Sequence, residues 1–103
     1  MLITSTAQAD IISGKVVHIA DGDTLTILTA DSEQVKIRLA GIDTPEKAQP
    51  FGTKAKQVLA GLTFQKQATV RVETIDKYGR TVGHVVVRRT DVNAELVRLG
   101  MAW

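Results

Sequence analysis

Phe51-Gly52-Thr53-Lys54-Ala55-Lys56-Gln57-Val58-Leu59-Ala60-Gly61-Leu62 is the stretch on which the fold turns. Its apolar residues Phe51, Ala55, Val58, Leu59 and Leu62 recur at helical spacing, with Lys54, Lys56 and Gln57 on the other side. It predicts a helix over about residues 52–62 that turns those five residues toward a core. On both sides of it the period is two instead. Upstream, Val35, Ile37 and Leu39 alternate with Lys36 and Arg38, which gives a strand with one apolar and one cationic face. Residues 24–27 alternate strictly, and residues 11–20 read as a longer strand in which Gly14 marks a bulge or bend. Turns at Asp21-Gly22-Asp23 and Ala30-Asp31-Ser32-Glu33 join these three strands into a meander. Downstream, residues 69–73 alternate and the valine-rich residues 81–87 make a fifth strand. Between them lies Asp76-Lys77-Tyr78-Gly79-Arg80, a polar turn with glycine where φ must be positive. Residues 91–99 form a short second helix, stopped by Gly100. The order βββ-α-ββ-α describes a mainly β protein with helices (α+β). A helix between the third and fourth of five strands is the order of a five-stranded OB-fold barrel with at least two helices. A small α+β sheet domain fits the same order.

One domain with one core is all that 103 residues allow. Apolar content is 44% but aromatics are only 4%, so the core is built from Val, Ile, Leu and Ala, a bias that favours sheet. A formal charge of +2 does not by itself point to nucleic acid, so the placement of the arginines must decide. The absence of cysteine excludes disulfides and thiolate metal sites. No apolar run approaches about 18 residues, which leaves no predicted membrane span. Residues 1–9, ending in Ala7-Gln8-Ala9, read as the remnant of a secretory signal peptide or as a disordered leader. The first reading makes the protein secreted or periplasmic, with residues 10–103 as its folded domain.

The chemistry concentrates in Arg38-Leu39-Ala40-Gly41-Ile42-Asp43-Thr44-Pro45-Glu46. The run leaves the third strand, loosens at Gly41 and ends at Pro45, which fixes φ and keeps Thr44 extended. It gathers a guanidinium, two carboxylates and a free carbonyl. Oxygen donors suit a hard cation and guanidinium suits a phosphate, so such a set can hold the two together. Two other segments supply complementary groups: Asp23 after the first turn, and Arg80 after Tyr78-Gly79.

Taken together, Asp21-Gly22-Asp23-Thr24, the run 38–46, Asp76-Lys77-Tyr78-Gly79-Arg80 and Val92-Asn93-Ala94-Glu95-Leu96-Val97-Arg98-Leu99-Gly100 resemble the staphylococcal nuclease (thermonuclease) family, in order and in register from about residue 12 to 103. The resemblance implies an OB-fold phosphodiesterase that uses Ca2+ to cut DNA and RNA and leaves 3′-phosphate ends. It makes Asp23, Asp43 and the Thr44 carbonyl the calcium ligands, with Asp21 adding negative potential nearby. It makes Glu46 the general base for the attacking water, or the group that orients it. Arg38 and Arg80 would fork onto the phosphate oxygens and stabilise the transition state. Lys77 and Tyr78 resemble the family's contacts to a neighbouring phosphate and nucleotide. Nucleic acid is then the substrate, with low sequence specificity, and nothing in the sequence marks an obligate protein partner.

Each residue also has a structural reading. Asp21-Gly22-Asp23 can be only a turn, Arg38 a solvated strand cation, Asp43 a local cap, Glu46 a loop carboxylate and Arg80 the blunt end of a strand. The alternative function is a nuclease-like OB module that binds nucleic acid or protein without cutting, though such domains usually lose part of this carboxylate and arginine set. A structural rival is a fragment that folds only with another chain. His18 and His84 read as ordinary strand residues, and Arg88-Arg89 as a solvated turn. Two departures from the family pattern stand out. The loop 47–52 is short, and the family's later tyrosines and third helix do not follow Trp103, a residue whose bulk calls for a packed site.

Overall fold

A computed structural model describes residues 10–45, 49 and 51–103. The leader 1–9 and Glu46 therefore lie outside the described residues. Six strands and two helices follow one another as β1 (Ile11–Asp21), β2 (Thr24–Leu28), β3 (Gln34–Leu39), α1 (Gly52–Thr63), β4 (Gln67–Ile75), β5 (Thr81–Val87), β6 (Thr90–Asp91) and α2 (Val92–Arg98). The strands hydrogen-bond in the order β3-β2-β1-β4-β5-β6, and β3 also pairs with β5. That last pairing closes β1 to β5 into the expected OB-type barrel, and β6 is a two-residue addition at its rim. All pairings are antiparallel except the closure, where Ile37, Arg38 and Leu39 run parallel to Thr81, Val82 and Gly83.

The alternation seen in sequence places Val16, Leu25, Ile27, Ile37, Leu39, Val70 and Val85 inside the barrel, all fully excluded from water. Leu59 of α1 with Val92 and Leu96 of α2 cover the core. Fully burying each such aliphatic contributes about 1.5–3 kcal/mol, so this set is the main source of stability. No helix among the described residues is long and apolar enough to cross a membrane.

Two expectations need correction. Phe51 does not join the core: it is the N-cap of α1 and 65% exposed, although its backbone is already helical, because the first turn of α1 projects past the edge of the core. Ala55 and Leu59 are buried while Val58 and Leu62 pack against the core edge. Gly14 is not a bulge, since β1 pairs with β4 without interruption through it. Its register shifts fall later, between Val16 and His18 and between Ile19 and Asp21. Gly14 is needed for a different reason: a Cβ there would lie 2.6 Å from the Leu28 carbonyl oxygen, closer than backbone can yield.

The second helix is closed as expected. Gly100 takes a φ of 76°. Its N–H donates to the Val97 carbonyl, and the Met101 N–H donates to Leu96, the paired bonds of a Schellman stop. Asp91 caps the other end through the Ala94 N–H. The buried side chain of Asn93 then ties α2 to the barrel seam. Its Nδ2 donates to the carbonyls of Ala40 (2.9 Å) and Gly83 (3.3 Å), and its Oδ1 accepts from the Val85 N–H (3.1 Å).

Candidate functional site

Strand register alone gathers three distant segments. Arg38 faces Thr24 across the β2–β3 pair and Val82 across the β3–β5 closure. The Leu39 N–H donates to the Asp23 carbonyl at 2.9 Å, which seats the β1–β2 turn on the end of β3. The Asp21–Asp23 turn, the end of β3 and the start of β5 therefore share one side of the barrel.

Side chains complete the link. Arg38 Nη1 donates to its neighbour's carbonyl, at Leu39. Its Nη2 lies 3.3 Å from Asp23 Oδ2 and 3.2 Å from Asp43 Oδ1, so carboxylates from two segments converge on a single guanidinium nitrogen. Asp23 Oδ1 accepts from Thr24 Oγ1 at 3.0 Å, and Thr24 Oγ1 in turn lies 3.5 Å from Arg80 Nη1. A continuous polar chain thus runs from Asp43 through Arg38, Asp23 and Thr24 to Arg80, its last link at the outer limit of a hydrogen bond. Asp21 Oδ1 accepts from the Asp23 N–H at 3.3 Å. Burial pushes the Asp23 carboxyl up, the hydrogen bond and charge of Asp21 push it the same way, and Arg38 opposes them. Positive charge brought to Asp23 would favour its ionised form.

Gly22 explains how Thr44 arrives there. A Cβ on Gly22 would sit 2.7 Å from the Ala55 Cβ and 3.2 Å from Cβ and Oγ1 of Thr44. Only glycine lets the turn, α1 and the segment 42–45 meet so closely. The neighbouring Asp43 backbone is held from the other side by Trp103. The Asp43 N–H donates to the Trp103 carbonyl at 2.9 Å and the Trp103 N–H returns to the Asp43 carbonyl at 3.0 Å. The Asp43 side chain itself is mostly exposed, as is the indole of Trp103.

Sequence reasoning gave Asp76 no role, yet it organises the β4–β5 turn. Its Oδ1 accepts from the N–H groups of Tyr78 and Arg80, both at 2.9 Å, and its Oδ2 holds Arg80 Nε at 2.8 Å. Gly79 supplies the positive φ of 80° that the turn requires. The Tyr78 ring is exposed, with Lys77 Nζ 5.3 Å and the Arg80 guanidinium carbon 5.4 Å from its centroid. An Asp placed two and four residues before its N–H partners is the legible signal for this arrangement. Burial pushes the Asp76 carboxyl up, but the Arg80 N–H, the Arg80 guanidinium and the Tyr78 N–H outweigh it and hold the group below its ordinary 3.8. A depressed carboxyl stabilises the folded form above its unfolded pKa and loses that contribution as pH falls through the folded value. The amide resonances of Tyr78 and Arg80 should therefore titrate together with a midpoint below 3.8. A midpoint at or above that value would show that the turn is not held this way.

The donors available to a metal are the carboxylates of Asp23 and Asp43 and the Thr44 carbonyl, all oxygen. Among the described residues no group of three or more His, Cys, Asp and Glu side chains is placed to hold an ion. The two carboxylates already share one cationic nitrogen, and oxygen donors with few protein ligands fit a hard cation such as calcium. The histidines lie elsewhere: His18 opposes Thr26, and His84 Nε2 pairs with Glu73. Arg88 and Arg89 form the β5–β6 turn, both at positive φ.

A family model described as "Staphylococcal nuclease homologue" matches residues 36–103. The chain belongs to the staphylococcal nuclease family. It is 46% identical over 89 residues to an "Uncharacterized endonuclease" of Haemophilus influenzae, covering 86% of this chain and 50% of that protein. It is 42% identical to "Protein ParB" of Escherichia coli and 40% identical to a "Micrococcal nuclease" of Shigella flexneri, each over 112 residues and all of this chain. Those alignments cover 62% and 63% of the two relatives. The chain thus spans between half and two thirds of the length of the curated relatives it matches. Membership in the staphylococcal nuclease family accords with the barrel and its closed seam.

Proposed function

We propose that this member of the staphylococcal nuclease family is a calcium-dependent nuclease that hydrolyses phosphodiester bonds in DNA and RNA and leaves 3′-phosphate ends. The observation that supports this reading best is the polar chain joining Asp43, Arg38, Asp23, Thr24 and Arg80, because it sets two guanidinium groups beside a pair of carboxylates. The names of its relatives, an endonuclease and a micrococcal nuclease, favour the same chemistry.

In this reading Asp23, Asp43 and the Thr44 carbonyl hold calcium. Bound there, the ion supplies Lewis-acid polarisation of the phosphate and positive charge at the reacting centre. Arg38 turns its fork from the carboxylates to the phosphate oxygens, and Arg80 presents the N–H groups that Asp76 leaves unused. Both stabilise the charge that builds as the phosphorus is attacked. Glu46 takes the proton of the attacking water or orients that water. Tyr78 offers a base a stacking face and Lys77 a charge for a neighbouring phosphate, contacts that position the strand without reading sequence. The Ala7-Gln8-Ala9 leader motif favours action outside the cytoplasm.

Supercoiled plasmid incubated with the protein and calcium should be nicked and then degraded, and excess chelator should stop it. End analysis of the products should find 3′-phosphates. Plasmid that stays intact at every calcium concentration while still being shifted in a gel would replace the enzyme with a binding module.

A further inference from the structure

The barrel seam closes only over residues 37–39 of β3, and below that point β3 parts from the β4–β5 turn. The gap is a groove of about 600 Å³, inside the range of roughly 300–1,000 Å³ typical of small-ligand sites. Ile12, Val35, Val72 and Ile75 give it an apolar floor. Gly79 and Thr81, the two residues that flank Arg80 in sequence, form one wall, so the groove ends beside the turn that carries Arg80. Lys36 stands on its rim, exposed, and lies two residues before Arg38 on the same face of β3. Two residues of strand are about 7 Å, so the two cations can meet consecutive phosphates of one extended strand. Asp10 and Glu33 make the far rim acidic, which repels phosphate and keeps the backbone on the Lys36 side.

We propose that this groove is a nucleobase subsite: a strand whose scissile phosphate lies at Arg38 and Arg80 sets its next phosphate on Lys36 and drops the attached base onto the apolar floor. The inference rests on the nuclease reading and extends it to a neighbouring nucleotide that neither Tyr78 nor Lys77 serves. Apolar floor, polar rim and an adjoining cation match a base on its sugar-phosphate better than a free phosphate or a peptide.

The test compares kcat/KM for a deoxyadenosine dinucleotide and a deoxyadenosine tetranucleotide, in calcium, with the full chain and with two exposed substitutions, Lys36→Glu and Ile75→Glu. Neither substitution touches a core position, and thermal melts check that each variant folds. The unaltered chain should prefer the tetranucleotide by about tenfold, the worth of one stacked or packed base. Each substitution should cut that preference severalfold through KM, leaving only the share that Lys77 and Tyr78 supply, while cleavage of the dinucleotide stays unchanged. Equal preference in the unaltered and substituted chains would overturn the groove while leaving the nuclease reading intact. Cleavage of neither substrate would overturn both. A matching loss on both substrates would assign Lys36 to the scissile phosphate and also overturn the subsite.

Discussion

Arg80→Ala should lower turnover by about a thousand-fold, the usual effect of deleting one preorganised donor to a transition-state anion. The side chain is held before substrate arrives. Asp76 Oδ2 fixes Nε at 2.8 Å, and Nη1 points to Thr24 Oγ1 at 3.5 Å. Of the five N–H donors on a guanidinium, one is committed to Asp76 and the outer ones are aimed into the site. Because that orientation is already set, little reorganisation opposes the transition state, and the whole of it is lost with the side chain. The fold should survive, since Arg80 lies outside the apolar core and the bonds from the Tyr78 and Arg80 backbone N–H groups to Asp76, which build the turn, do not depend on its side chain. Arg80→Lys should recover little, because an ammonium cannot hold Asp76 and a phosphate in one planar fork. Glu46→Ala should act in the same direction, by orders of magnitude, if a carboxylate there handles the water. Single-turnover kinetics beside urea denaturation would separate chemistry from folding. Near-normal turnover in both alanine variants, with folding unchanged, removes the mechanism.

What the sequence made legible, and what it hid, follow from the range of the interactions involved. Elements governed by local periodicity emerged directly: the meander of β1 to β3, the helix α1 and the valine strand β5 lie where alternation and helical spacing put them. So did positions set by backbone sterics, as Gly79 and Gly100 both take positive φ. Phe51 failed because helical spacing reports which face a residue shares but not how far along the helix the core extends. Gly14 failed because the approach of the Leu28 carbonyl depends on how β2 coils over β1, which no local pattern reports. The site divides the same way. Arg38, Asp43 and Thr44 share one run and meet Asp23 through the β2–β3 hairpin, but their meeting with Arg80 depends on the parallel closure of β3 on β5, a contact more than forty residues apart in the chain. The backbone clamp between Asp43 and Trp103 had no sequence signal at all, since neither side chain takes part. Asn93 left a faint one: a polar residue between Val92 and Leu96 on a helix face that is otherwise buried.

That asparagine supports the remaining large prediction. Asn93→Ala should cost about 3 kcal/mol, because it strips partners from buried backbone groups whose unmet desolvation is worth roughly 1–3 kcal/mol each. The Val85 N–H loses its bond to Oδ1, and the Ala40 carbonyl loses Nδ2. The Gly83 carbonyl suffers less, since the Ala40 N–H also reaches it at 2.8 Å. Among the described residues no buried side-chain polar atom lacks a partner, so the network has no slack to take up the loss. For a domain of ordinary stability, about 5–15 kcal/mol, this is a large share. Asn93→Asp is the sharper variant. It keeps the acceptor for Val85 but turns a carboxylate oxygen toward the Ala40 and Gly83 carbonyls, so the buried charge raises its pKa. A carboxyl raised in the folded state is penalised at high pH and relieved as pH falls and the proton returns to serve as donor. The aspartate variant should therefore be less stable than the alanine variant near pH 7 and gain on it toward pH 5. Ala40 opens the segment that leads to Asp43, so both changes should also weaken the calcium binding proposed above, read by titration calorimetry, although neither touches the carboxylates. Unfolding free energies from urea denaturation within about 1 kcal/mol of the unaltered protein would show that the helix is held by its apolar face alone. Asn93 would then be a tolerated polar residue, and the seam would owe its position to strand pairing.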